Sequence, residues 1–125
     1  MARVVAFIPD LLFGSRVQAM LDAGGHVVEL VGDAGAVRDA LTDATVLVVD
    51  LTDEEFRGAE LMESLLSDGL LSGIRTLAFY SHVDVNARHR AESAGFDLVV
   101  PRSRMAREGA ELVSRLAAGE SDRAV

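Results

Sequence analysis

The sequence predicts one α/β domain, a parallel five-stranded sheet with helices on both faces, and three observations carry that prediction. Short apolar runs alternate five times with amphipathic stretches, the rhythm of βα units rather than of a sandwich or a bundle. The runs are continuous and rich in β-branched residues, as strands covered on both faces read. Length and composition then bound the answer: 125 residues, half of them hydrophobic and 26% charged, with 2 prolines and no cysteine, describe a folded globular chain that needs no disulfide. The domain is expected over 1–118, with 119–125 as a flexible tail lacking apolar periodicity.

Taken in order, the first strand is Val4 to Ile8. Phe13, Val17, Met20 and Leu21 then fall on one helical face, and Gly24-Gly25 stops that helix. Asp10 stands where the helix needs an N-cap. The second strand is Val27 to Val31, followed by a short helix marked by Val37, Ala40 and Leu41, with Asp33 as its cap. Val46 to Val49 is the third strand. Phe56, Leu61, Leu65 and Leu66 mark the third helix, which Thr52-Asp53-Glu54-Glu55 is expected to open as a capping box. Ile74 to Phe79 is the fourth strand. Ala87, Ala91 and Ala94 mark a fourth helix that buries little area, with Asp84 before it; Leu98 to Val100 is the fifth strand, and Leu112, Val113 and Leu116 define a last helix capped by Ser103.

Sequential right-handed crossovers give the doubly wound, flavodoxin-like strand order 2-1-3-4-5, whose working edge lies at the carboxyl ends of the strands. Polar groups collect there: Pro9-Asp10, Gly32-Asp33, Asp50-Leu51-Thr52-Asp53, Tyr80-Ser81-His82 and Pro101-Arg102-Ser103. Carboxylates, hydroxyls and a guanidinium in that position suit a cation or a phosphoryl group.

Charge and missing residues exclude other classes. All 12 positive charges are arginine, against 20 acids, for a net charge of −8. Nucleic acid is an unsuitable partner for such a surface. The closest thing to a basic face, the short run Arg102, Arg104 and Arg107, is broken by Glu108 and Glu111. Without cysteine there is no thiol catalysis, iron–sulfur cluster or cysteine zinc site. The first apolar run, about five residues long, is too short for a signal sequence or a membrane span, so the chain is expected in the cytoplasm. Ser81-His82 is no catalytic pair, since neighbours in an extended segment face opposite ways. His26 and His89 are far apart in the chain and expected to face solvent. Gly14 and Gly24-Gly25 form no phosphate loop.

Two stretches carry a family resemblance. Val46-Leu47-Val48-Val49-Asp50-Leu51 and Glu92-Ser93-Ala94-Gly95-Phe96-Asp97, within matching element order and spacing from Arg3 to about Ala118, resemble the third strand and the turn before the fifth strand of response-regulator receiver domains, the CheY-like modules of two-component signalling. The resemblance makes Asp50 the counterpart of the phospho-accepting aspartate. It places Tyr80, with Ser81 beside it, at the family's switch hydroxyl, Arg102 at its lysine and Ser103 at the proline that follows. The paired metal-binding acids fall on Ile8 and Pro9, with Asp10 one step further on. The expectation is therefore an atypical, stand-alone receiver with no enzymatic turnover and no certain cofactor. A standing Asp50–Arg102 ion pair is expected to imitate one signalling state, and Tyr80 either fills the phosphoryl pocket or is simply buried.

What the resemblance implies about partners is a kinase or regulatory target docked on the fourth helix, fifth strand and fifth helix, roughly Val85 to Ala118, a face that also mediates dimers in that family. Neither nucleic acid nor membrane is expected. Two alternatives remain open. In one, the domain is a conventional switch phosphorylated on Asp50, with Asp10 and Asp50 holding magnesium alongside waters and a backbone carbonyl. In the other, the cleft binds a small molecule.

Overall fold

The computed structural model describes residues 2–53, 55, 57–81 and 85–119. Its elements run β1 (Arg3–Phe7), α1 (Leu11–Ala23), β2 (Val27–Val31), α2 (Ala34–Ala40), β3 (Val46–Asp50), α3 (Gly58–Ser67), β4 (Arg75–Tyr80), α4 (Val85–Ala94), β5 (Leu98–Pro101) and α5 (Arg102–Ala117). All strand pairs are parallel, in the order β2-β1-β3-β4-β5. The predicted fold and strand order are those observed.

Alternation along the strands divides the core into two layers. Val4, Ala6, Val46, Val48, Leu77 and Phe79 pack with Phe13, Val17 and Leu21 of α1 and with Met105, Leu112 and Leu116 of α5. Val5, Phe7, Leu47, Val49 and Ala78 pack on the other face with Val37, Leu61, Leu65 and Ala91, from α2, α3 and α4. The central strand β3 is buried along its whole length. The edge strand β2 departs from the expectation of cover on both faces: Val28 and Leu30 pack towards α1 and α5, while on the opposite face Val27 and Glu29 are exposed and Val31 is buried.

Local chemistry explains most element ends. The Asp10 carboxylate accepts from the N–H groups of Leu12 and Phe13 at 3.0 and 3.1 Å, and Asp33 accepts from Ala36 at 2.8 Å, so both act as the expected caps. At the turn into β5, Gly95 has φ +101°, a conformation that costs glycine little. Asp97 then ties β5 to β4 by accepting from the Thr76 N–H at 2.8 Å.

Three expectations are corrected. The third helix begins at Gly58, not near Thr52; the residue before it is Arg57, in the left-handed region at φ +51° and with no side-chain cap. Thr52 cannot open a capping box because its hydroxyl donates to Asp50; Glu54 and Phe56 lie outside the described residues, as do His82, Asp84 and 120–125. Ser103 does not cap α5, since the helix starts at Arg102 directly after the extended Pro101, which makes Ser103 part of the first turn. His26 is 5% exposed rather than solvent-facing. Its Nδ1 accepts from the Ala2 N–H at 3.1 Å, while Nε2 meets the Ala110 carbonyl at 3.2 Å and the Ser114 hydroxyl at 3.0 Å. The ring thus joins the start of β1 to α5.

Among the described residues no helix is long and apolar enough to cross a membrane.

Candidate functional site at the carboxyl edge of the sheet

The parallel register brings the ends of β1, β3, β4 and β5 together. Asp50 ends β3 opposite Phe79 of β4, and Tyr80 ends β4 opposite Pro101 of β5. A cleft of about 610 Å³ opens above them, lined by Asp10, Phe13, Arg16, Thr52, Asp53, Ser81, Arg102, Ser103 and Ala106. Of the residues singled out in the sequence, Asp10, Ser81 and Arg102 line this cleft and Asp50 lies beneath it. Tyr80 is 6% exposed and by strand alternation shares the side of Ala78, towards α2, α3 and α4, away from the cleft lining.

Asp50 is 1% exposed. Its Oδ1 accepts from both the Thr52 N–H at 2.8 Å and the Thr52 hydroxyl at 2.6 Å, a local turn closed by the side chain. Burial raises its pKa above the ordinary 3.8; the two Thr52 hydrogen bonds and the Arg102 charge oppose that rise, and the Asp10 charge adds to it.

The expected Asp50–Arg102 ion pair is absent. Arg102 instead lies over the Phe13 ring, 4.1 Å from its centroid, with its Nη2 3.7 Å from Asp10 Oδ2. The reason is geometric. As the first residue of α5, Arg102 lies against the start of α1, where a flat aromatic surface and a carboxylate meet it together; Asp50 is already held by Thr52. Phe13 and Arg16 are site residues that sequence reasoning misses, Phe13 reading there only as core. The signal available in the sequence is their position, one and two helical turns after the cap residue Asp10, on the face that meets the end of the sheet.

These residues do not fit a resident magnesium ion. Ile8 and Pro9, which the resemblance sets at the receiver's acid positions, offer no carboxylate. One Asp10 oxygen caps α1 and the other faces a guanidinium. A positive charge beside Asp10 opposes a divalent cation. Among the described residues no group of three His, Cys, Asp or Glu side chains stands where it could hold a metal.

The pKa of Asp50 makes a stability prediction. A carboxyl whose pKa is higher in the folded chain binds more protons there, so the Asp50 contribution to stability is fully present below 3.8 and is lost as the pH rises from that value through the raised one. Asp50→Asn keeps an acceptor for Thr52 and removes the buried charge. The variant is therefore expected to melt higher than wild type near neutral pH, with the difference closing in acid; circular-dichroism melts across pH check this, and an Asp50→Asn protein melting lower at neutral pH would contradict it.

No protein-family model matches the chain, and no curated protein matches it in sequence. Solved structures do match it in fold. The signal receiver domain of the response regulator NarL from Mycobacterium tuberculosis superposes with a TM-score of 0.78 at 21% identity, over 95% of this chain and 98% of that one. The structure named FixJ-N gives a TM-score of 0.80 at 22% identity, over 94% of each chain. A protein described as pilus assembly-related, from Burkholderia pseudomallei, gives 0.76 at 20% identity, over 98% of this chain and 94% of that one. With its strand order, its helices on both faces and this likeness over nearly the whole length, the chain has the fold of response-regulator receiver domains.

Proposed function

We propose that this chain is an atypical receiver-like signalling module, acting in the cytoplasm by docking to a protein partner and not by magnesium-dependent phosphorylation of Asp50. One observation carries the reading. The charges that a conventional receiver leaves ready for a metal and a phosphoryl group are here engaged with one another, Arg102 with Asp10 and Phe13, and Asp50 with Thr52. Phosphoryl transfer to a carboxylate depends on positioning and on charge neutralisation by a metal. With Ile8 and Pro9 in place of the acids, the largest of those contributions is gone.

Docking on α4, β5 and α5 is the partner contact this reading favours, with a kinase or a regulatory target as the partner and self-association through the same face as a second use. The exposed side of α4 supports it: Val85 is 62% exposed at the head of the helix, and α5 adds exposed Arg107 and Glu111.

The test is intact-protein mass spectrometry after incubation with acetyl phosphate and magnesium, beside Asp50→Ala. No phosphoryl adduct is expected on either protein, with circular dichroism showing both folded. An adduct on wild type alone would overturn the reading and restore a conventional switch with Asp50 as the acceptor.

A further inference from the structure

The cleft above Asp50 carries charges of both signs, with Asp10 beside the two arginines and Asp53 among the residues that follow β3. Among the described residues Arg16 makes no ion pair or hydrogen bond, although it is one of two guanidiniums lining the cleft. Arg102 has a 3.7 Å contact to Asp10 and the Phe13 ring beneath it, and none of its five N–H groups donates to a described residue. Both arginines stand on the α1–α5 wall with Phe13, Ser103 and Ala106. The opposite wall, from the ends of β3 and β4, carries Asp53, Thr52 and Ser81. Asp53 uses one oxygen to accept from the Glu55 N–H at 2.9 Å, and its second oxygen has no partner among the described residues. Thr52 gives its proton to Asp50 at 2.6 Å, so its hydroxyl is left to a ligand only as an acceptor.

A simple anion would meet Asp10 and Asp53, and a simple cation would meet Arg16 and Arg102. Either is opposed by half of the site. A molecule with both charges satisfies both signs, and guanidiniums suit a carboxylate because they present paired N–H groups. We infer that this cleft binds a small zwitterion of amino-acid type, its carboxylate on Arg16 and Arg102 and its ammonium on Asp53 and the Thr52 hydroxyl. Binding is non-covalent and needs no metal. It would also draw Arg102 off Asp10, and so couple the occupant to the start of α5.

The experiment is a thermal-shift screen followed by calorimetry on the full chain in EDTA, with a panel of free α-amino acids and with acetate, ethylamine and inorganic phosphate as single-charge probes. At least one amino acid is expected to raise the melting temperature and give a measurable Kd where the single-charge probes do not. Arg16→Ala and Asp53→Asn are each expected to weaken that binding about tenfold or more. Both positions are exposed, and Asp53→Asn keeps the acceptor for Glu55, so the fold is preserved and loss of binding reads on the site. No binding by any amino acid overturns the inference. Phosphate or acetate binding as tightly as the best amino acid, with Asp53→Asn unchanged, would also overturn it by making the cleft a plain anion site.

Discussion

Phe79→Ala is expected to lower stability by about 3–5 kcal/mol, the usual range for removing a buried aromatic side chain. Phe79 is fully buried in the layer beneath α1 and α5. Its ring lies 5.3 Å from that of Phe13, tilted by 59°, a contact that adds to plain burial. A domain of this size has about 5–15 kcal/mol in total, so this one change removes a large share of it. Urea denaturation measures the loss directly. A change below about 1 kcal/mol would show that the core collapses around the gap, and would refute the role given to this ring. The same substitution removes the support under Phe13, on which Arg102 lies, so the carboxyl edge should loosen with the core.

The second large effect is at Gly58, where α3 meets the end of β3. A Cβ there would stand 2.4 Å from Leu51 Cδ2, 2.9 Å from Val49 Cγ1 and 3.1 Å from the Asp50 carbonyl oxygen. Leu51 can move aside, but Val49 is fully buried and the carbonyl belongs to the backbone. Gly58→Val is therefore expected to cost about 1–3 kcal/mol or more through overpacking, measured by the same denaturation. Because the displaced atoms adjoin Asp50, amide signals of Leu51 and Thr52 should shift in an NMR spectrum of the variant. A variant as stable as wild type, with those signals in place, would contradict the close packing of α3 on β3.

Residue types and spacing make the architecture legible. β2 reads with its observed ends, and each of the other strands to within a residue or two, because an apolar run of four to six residues between turn residues is too short to bury itself as a helix. α2 and α4 follow from the alternation alone, since two or three alanine-class contacts give no strong helical signal. The failures lie where a side chain has two available jobs. Thr52 reads as a helix cap, yet Asp50 two residues earlier captures its hydroxyl, and α3 starts six residues later. His26 looks like a solvent-facing histidine beside a double glycine; its partners Ala110 and Ser114 are 84 and 88 residues away in the chain, and no local pattern reports them. Arg102 would be expected to seek the nearest site acid, Asp50. A competing carboxylate and an aromatic ring decide otherwise, and that choice depends on how α5 meets α1, which emerges only when the chain is folded.

The footing of α4 has a consequence for how this surface can change. The helix buries only Ala87, Ala91 and Ala94, and its other seven residues are exposed. Exposed positions of this kind tolerate substitution within about half a kcal/mol. The outer side of α4 is thus a blank panel, on which new side chains can be tried one after another while the layers beneath hold the fold, and related chains can diverge in what they meet without diverging in shape.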